Sequence, residues 1–150
     1  MRHNLHNNFD FQEILYRIEK LSSDSKPLWG KMNVEQMVAH LNAFLETALD
    51  INNPKRMFIG KVIGTFFKAR YVSEKQFSKN SKTHKTYKFS DVRDFQKEKI
   101  RSIDLLNQFN KGGISKCTTK PHPFFGHLTA EEWAIVQWKH YDHHLRQFGV

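Results

Sequence analysis

Three histidines stand within the last eleven residues of the chain, at positions 140, 143 and 144 of the segment KHYDHHLRQFGV. On a helix with 3.6 residues per turn, His140 and His144 share the apolar face of Trp133 and lie one turn apart. His143 falls on the polar side of the same wheel, which predicts that it turns toward solvent. Two imidazoles at i, i+4 can both reach one cation, so the spacing indicates a metal-binding pair.

A metal ion held by this pair needs a further ligand from another part of the chain. His40 is the candidate, because on its own helical wheel it borders an apolar arc around Met37 and Phe44. A histidine on an apolar face is nonetheless more often a core residue with a satisfied hydrogen bond than a ligand. From the residues alone, a metal site at His40, His140 and His144 and a set of buried core histidines both stay open.

Helical periodicity appears in five segments, and no segment shows the sustained alternation of a strand. Asn33 and Thr129 each stand three positions before a glutamine or glutamate, as at the start of capped helices. Four long helices and one long connection predict an all-α fold, a four-helix bundle with a long crossover connection and an extra short helix. A chain of 150 residues is long enough for one such domain, residues 1–150. The predicted helical segments are residues 11–21, 33–51, 56–70, 92–110 and 130–148, and Ile100 is among the predicted inward positions.

The net charge of +9 is concentrated in residues 52–120, which hold 17 lysines and arginines against 5 aspartates and glutamates. Such a segment can bind phosphates, which makes a non-enzymatic nucleic-acid- or anion-binding helical protein the alternative function. However, the lysines of residues 73–89 alternate with Ser, Thr and Asn, and no nucleic-acid-binding motif is recognisable. We therefore expect an exposed, solubilising connection and no specific nucleic-acid partner.

The segment RMFIGKVIGTFFKAR, residues 56–70, combines an apolar face with flanking cations. A helix of this kind can lie on an anionic membrane. Packing on the bundle or at a dimer interface is commoner, with Gly60 and Gly64 allowing close approach, so we expect no membrane partner. The apolar face consists of Phe58, Ile59, Val62, Ile63, Phe66 and Phe67.

The remaining composition favours a cytoplasmic protein. No apolar run approaches the length of a membrane span, and the first residues carry no apolar secretory segment. The one cysteine, Cys117, excludes an internal disulfide and fits a reducing compartment. We interpret it as a free loop cysteine without a task, while spacing assigns no role to His122, His127 or His143.

Two segments carry a resemblance to a known family. PLWGKMNVEQMVAHL, residues 27–41, and HPFFGHLTAEEWAIVQWKHYDHHLRQFG, residues 122–149, resemble the DinB/YfiT-like superfamily of metalloenzymes. The closest likeness is to a subfamily of unknown function whose members end in much the same HHLRQFG string. The resemblance covers essentially the whole chain, although residues 52–120 contribute little to it.

The resemblance implies a four-helix bundle, often a homodimer, with a divalent metal ion held by three histidines. One comes from the second helix and two from the last helix at H-x-x-x-H spacing, which are His40, His140 and His144 here. Nitrogen ligation suits zinc or nickel, with iron, cobalt and manganese as alternatives. Characterised relatives are metal-dependent transferases and isomerases that use low-molecular-weight thiols, so a small-molecule substrate and a metal-dependent transferase or hydrolase activity are implied.

Overall fold

The computed structural model describes residues 2–150, and all regular secondary structure in this range is helical. The predicted all-α class is confirmed. None of these helices is long and apolar enough to cross a bilayer. The helices are α1 (Asn8–Glu19), α2 (Val34–Ala48), α3 (Phe58–Tyr71), α4 (Phe95–Lys116) and α5 (Ala130–Gln147), with a short 3-10 turn at Lys85–Tyr87.

Helices α1, α2, α4 and α5 pack on one another as a four-helix bundle, and α3 lies outside it. The connection from α2 to α4 contains both α3 and the 3-10 turn, which is the predicted long crossover with an extra helix. The core between the helices is lined by leucine, isoleucine and aromatic side chains, among them Leu41, Leu106 and Trp133, all essentially inaccessible to solvent. Burial of these side chains supplies the main favourable term for the fold.

The two helices that carry the candidate ligands begin at capping boxes, as the sequence predicts. The Asn33 side chain accepts from the backbone N–H of Gln36, and the Gln36 side chain accepts in return from the N–H of Asn33. Thr129 and Glu132 form the same reciprocal pair at the start of α5. Each box satisfies two backbone donors that would otherwise lack partners, which fixes the first turn of the helix.

Helix α4 differs from the predicted residues 92–110. It begins after Asp94, whose side chain accepts from the N–H of Lys97, and it continues to Lys116 through a non-helical Gly113 at φ 54°. Ile100, predicted to point inward, is 60% exposed. The small Ser102 occupies the inward face instead. It is fully buried, and its hydroxyl lies 3.0 Å from the hydroxyl of the buried Tyr141.

Helix α3 packs with the face opposite to the expected one. Its buried residues are Gly60 and Gly64, which contact the backbone at Phe124. A Cβ atom on Gly60 would lie 2.6 Å from the Phe124 carbonyl oxygen, and one on Gly64 would overlap the same oxygen. The six apolar residues of α3 are exposed, and the expectation that they pack on the bundle is wrong, because backbone contact at the glycines already fixes the helix.

The connection at residues 73–89 is exposed for most of its length, as expected, but Tyr87 and Phe77 pack against the core. Tyr87 is buried, with its ring edge-on to that of Phe44 and its hydroxyl 2.9 Å from Thr47 Oγ1. Phe77 is partly buried against Tyr71. Both aromatic side chains attach the lysine-rich connection to the side of the bundle where the histidines lie.

Candidate metal centre

The structure brings His40, His140 and His144 together at the contact between α2 and α5. One ring nitrogen from each residue lies within 4.8 Å of the other two. The three side chains are buried, with exposed fractions of 5%, 9% and 8%. The helical wheels therefore gave the correct faces for all three residues, and the packing of α2 on α5 places them at the same level.

The carbonyl oxygen of Tyr87 fixes the orientation of the His40 ring. His40 Nδ1 lies 2.7 Å from this oxygen, and because a carbonyl only accepts, Nδ1 donates its hydrogen. In the neutral ring the lone pair is therefore on Nε2, which faces Nε2 of His140 at 2.8 Å. The 3-10 turn of the crossover thus supplies a positioning contact for a residue of α2.

A relay of hydrogen bonds holds the His144 ring. Gln147 Nε2 donates to the carbonyl oxygen of Trp29 at 2.6 Å, which leaves Gln147 Oε1 to accept from His144 Nδ1 at 2.7 Å. His144 Nε2 then carries the lone pair. Gly30 has a φ of 84°, and a Cβ atom there would lie 2.5 Å from Gln147 Nε2. The Trp-Gly pair before α2 therefore acts on the site through Gln147.

His140 is oriented by packing instead of by a hydrogen bond to Nδ1, which has no partner among residues 2–150. Its ring lies edge-on to Phe44, with the ring centres 4.8 Å apart. The centre of the His144 ring, one turn further along α5, also lies 4.8 Å from the centre of the His140 ring. The three histidines thus differ in support, since two have an acceptor at Nδ1 and the third has none.

Burial keeps the three imidazoles neutral. Desolvation lowers the pKa of His40 to about 4, with a smaller effect from the nearby His143, although the Tyr87 carbonyl acts in the opposite direction. Desolvation also lowers the pKa of His140 and that of His144 well below 6.5, and the proximity of His40 adds to both. At neutral pH each ring therefore retains a lone pair, which is the form that binds a metal ion.

The donor set fits a divalent cation. His40 Nε2 presents a lone pair to His140 Nε2 at 2.8 Å, an approach that requires either a proton or a cation between the two nitrogens. Among residues 2–150 the group contains no carboxylate or thiol. The ammonium group of Lys139 is directed away from the three histidines. Its Nζ donates to the carbonyls of Tyr71 and Ser73 at 2.7 and 2.6 Å. The three histidines could hold a metal ion, whose identity the geometry does not indicate.

Aromatic rings enclose the cluster on the side of the crossover. Neighbouring ring centres lie 4.8 to 6.1 Å apart along a circuit that leaves the cluster and returns to it. Packing among these rings contributes to the burial of the three histidines, and burial is the cause of the desolvation that lowers their pKa values. The circuit runs through His140, Phe44, His122, Tyr71, Phe77, His143 and His144.

His143 does not turn toward solvent, contrary to the prediction from the wheel. It is only 8% exposed, because Trp29 and Phe77 from two different connections cover it, with ring centres 5.9 and 6.1 Å away. A helical wheel describes one helix alone and cannot include loops that fold over it. His143 lies beside His144, at 4.9 Å between ring centres, but outside the group of three converging nitrogens.

The other two histidines near the last helix lie outside the group as well. His122 is buried, and its Nδ1 accepts from the backbone N–H groups of Phe124 and Phe125 at 3.0 and 3.2 Å. It therefore stabilises the tight turn on which α3 packs. Desolvation lowers its pKa to about 3. His127 is exposed.

Gln36, Gln137 and Cys117 have structural roles or none. Gln36 serves the cap of α2, and its amide donates to the Asp91 carbonyl. Gln137 is fully buried and donates to the Phe44 carbonyl at 3.1 Å, which ties α5 to α2. Burial raises the pKa of the Cys117 thiol to about 11. That shift disfavours a reactive thiolate and supports the interpretation of Cys117 as a cysteine without a task.

Sequence reasoning missed Gln147, Tyr87 and the Trp29–Gly30 pair. For Gln147 a signal exists, since it stands at i+3 from His144 and so lies on the same helical face. The Tyr87 and Trp29 contacts are made by backbone carbonyls of distant segments. Every residue has a backbone carbonyl, so the residue type does not indicate which carbonyl accepts a hydrogen bond.

Comparison with known proteins assigns the chain to a family. A family model described as "Protein of unknown function (DUF1569)" matches residues 2–149. No curated protein and no solved structure matches the chain. Because the family model spans nearly the whole sequence, including both segments that contribute histidines to the centre, the chain belongs to the DUF1569 family of unknown function.

Proposed function

We propose that the protein is a DinB/YfiT-like metal-binding protein that holds a divalent ion through His40, His140 and His144. The observation that carries the proposal is the convergence of three neutral, buried imidazole nitrogens within 4.8 Å. Two of the rings have Nδ1 fixed as a donor, at Tyr87 and Gln147. Acceptors of this kind behind a ligating histidine are typical of metal sites, because they set the tautomer and raise the basicity of the ligand nitrogen.

A centre with three protein ligands resembles catalytic sites more than closed structural ones, which have four. When bound, the ion would lower the pKa of a water or thiol and stabilise the resulting anion. The surrounding residues of the chain orient the ligands and shield them. Tyr87 and Gln147 keep two ligand nitrogens directed at one point, Phe44 fixes the third ring by packing, and the aromatic circuit limits access of bulk water.

For the reaction, we infer a metal-dependent transferase or hydrolase acting on a small molecule, with a low-molecular-weight thiol as the first substrate class to test. This inference rests on the resemblance of residues 27–41 and 122–149 to the DinB/YfiT-like superfamily. Zinc and nickel are the first ions to test, since an all-nitrogen set suits both.

The test is metal content of the full chain, purified without a histidine tag and then equilibrated with zinc or nickel. We expect about one equivalent of tightly bound ion per chain. The double variant His40→Ala/His140→Ala removes two of the three ligands and is expected to retain none. His127→Ala is the matched control, because it removes an exposed histidine outside the group, and it is expected to bind as the wild type does.

Equal and negligible metal content in the wild type and the double variant would reject the proposal. Circular dichroism of each variant shows whether the helices are intact, so loss of the ion can be separated from loss of the fold. Thiol transfer or hydrolysis is then assayed only on the metal-loaded protein, with the double variant as the blank.

A further inference from the structure

Helix α3 presents its large apolar side chains to solvent and its small residues to the protein. Phe58 and Phe66 are 82% and 83% exposed. Their neighbours Ile59, Val62 and Phe67 are more than two-fifths exposed, and Ile63 somewhat less. On a helical wheel these six residues form one continuous face about half the circumference wide. We call these six residues the α3 apolar face.

The α3 apolar face is not a consequence of a loosely attached helix. Its opposite side is fixed by backbone contact at Gly60 and Gly64. The N–H of Met57 donates to the Pro123 carbonyl at 2.9 Å, and Lys68 forms an ion pair with Glu132 of α5 at 2.8 Å. The C-terminal end is held by Lys139, which donates to the Tyr71 carbonyl. The exposed aromatic side chains therefore project from a rigid support.

The surroundings of the face are positively charged. Residues 55–75 contain six lysines and arginines and one carboxylate, Glu74. Lys55 precedes the face, Lys61 lies along one edge, and Arg70 stands in the last turn; all are exposed, and none forms an ion pair within residues 2–150. At the C-terminal end the face continues into a cavity of about 270 Å³ whose lining includes Phe67, Arg70 and Lys75.

The expectation of no membrane partner rested on packing of these apolar side chains, and they are exposed instead. We propose that α3 docks on an anionic lipid bilayer surface, with its apolar face in the interfacial region and its cations against the lipid headgroups. An apolar half beside a basic edge is typical of helices that lie in the membrane interface, and no helix in residues 2–150 is long and apolar enough to span a bilayer. Basic residues near an anionic leaflet add attraction that depends on salt. Lys139, the residue directly before His140, donates to the carbonyl of Tyr71 at the end of α3, so docking of α3 would hold the histidine group close to the membrane surface.

A second copy of the chain fits this surface less well. A two-fold interface through the α3 apolar face would bring Lys61 and Arg70 of both copies to the same patch, with Glu74 as the one carboxylate in residues 55–75 to oppose them. Like charges brought together at an interface oppose association. A homodimer is compatible with the proposal only if its interface lies elsewhere.

The test is co-sedimentation of the full chain with vesicles of phosphatidylcholine alone or with about one third phosphatidylglycerol. We expect binding to the anionic vesicles, little binding to the neutral ones, and release in roughly 0.5 M NaCl, where charges are screened within a few ångströms. Phe58→Ser/Phe66→Ser and Lys61→Glu/Arg70→Glu are each expected to weaken partitioning at least about tenfold. The matched control is Phe9→Ser/Ile114→Ser, which removes two comparably exposed apolar residues outside α3.

Sedimentation velocity of the same samples without lipid completes the design. Absence of vesicle binding in the wild type overturns the proposal. So does a dimer that Phe58→Ser/Phe66→Ser dissociates, because α3 would then be covered by a second copy. Equal weakening in the Phe9→Ser/Ile114→Ser control also overturns it, since adsorption would then be unspecific. The result is independent of the metal proposal, because no ligand residue is altered.

Discussion

His40 and His144 each have Nδ1 committed to an acceptor, whereas His140 has none. The acceptor fixes the ring in the tautomer whose Nε2 lone pair faces the group. His140 depends on packing against Phe44 for the same orientation. The contribution of an acceptor can therefore be measured at Gln147, whose side chain is replaceable, while the Tyr87 carbonyl is part of the backbone.

Replacing Gln147 by leucine is expected to weaken metal affinity about 10- to 100-fold without changing the number of ions bound. The leucine fills a similar volume but cannot accept from His144 Nδ1, so the ring loses its fixed tautomer. Affinity is measured by competition with a chromophoric chelator. Gln108→Leu is the control, since this glutamine is exposed on α4. Unchanged affinity in Gln147→Leu would show that the relay through Trp29 does not act on the centre.

The candidate ligands could be predicted from the sequence because helical spacing sets which side chains share a face. His140 and His144 at i, i+4 and His40 on an apolar arc required no knowledge of the fold. His143 could not be placed in this way, since Trp29 and Phe77 come from connections whose paths the spacing does not encode. For the same reason the acceptor at Tyr87 was not predictable.

His122 makes the stability of the metal-free protein dependent on pH. Burial lowers its pKa from 6.5 to about 3. As the pH falls below 6.5, the unfolded chain takes up a proton that the folded chain does not, so stability is fully present above pH 6.5 and is lost on acidification. The slope for one such proton is about 1.4 kcal/mol per pH unit, between roughly pH 6 and pH 4.

The variant His122→Phe is expected to be less stable at pH 7, because two backbone N–H groups lose their acceptor, but its free energy of unfolding should fall less steeply with acid. Urea unfolding of chelator-treated protein at several pH values measures both effects. Identical slopes in the variant and the wild type would mean that His122 is protonated in the folded state. The other buried histidines retain their own contributions in both proteins.

Helix α3 shows the limit of periodicity at the scale of an element. The pattern of residues 56–70 correctly predicted a helix with one apolar face, yet the face that packs is that of Gly60 and Gly64. Periodicity locates faces but does not say which of them is covered. Close backbone approach at glycine competes with burial of large side chains, and a helical wheel does not take such backbone contacts into account.

Gly64→Ala is expected to destabilise the protein by roughly 1–3 kcal/mol, because the added methyl group overlaps the Phe124 carbonyl, a backbone atom that cannot rotate away. The sign is informative, since helix propensity alone favours alanine over glycine by about 0.5–1 kcal/mol. Urea denaturation measures the change. Thr65→Ala, at an exposed neighbouring position, is the control and should be nearly neutral. A stabilised Gly64→Ala protein would contradict the packing of α3 on the 122–126 turn.

At the scale of the whole molecule, the histidine group joins two helices that are distant in the sequence, since His40 and His140 are one hundred positions apart. An ion shared by α2 and α5 would bind the folded chain and not the unfolded one, because the three nitrogens converge only after folding. Binding energy then adds directly to stability. The all-α class and the bundle with its crossover were predictable from five periodic segments, whereas the loops that close over the centre were not.

A free metal-ion concentration of about one hundred times the dissociation constant is expected to stabilise the protein by about 2.7 kcal/mol. This raises the melting temperature by roughly 5–10 °C. The His40→Ala/His140→Ala variant should show no such increase. Differential scanning calorimetry with and without chelator measures the shift. An equal shift in both proteins would place the ion elsewhere on the chain.

The most direct test is the anomalous scattering of crystals grown with zinc or nickel, recorded at the absorption edge of the metal. We expect one dominant peak between α2 and α5, about 2.0–2.1 Å from one nitrogen each of His40, His140 and His144. A dominant peak at any other position, or ordered imidazoles of these three residues with no anomalous density between them, would contradict this expectation.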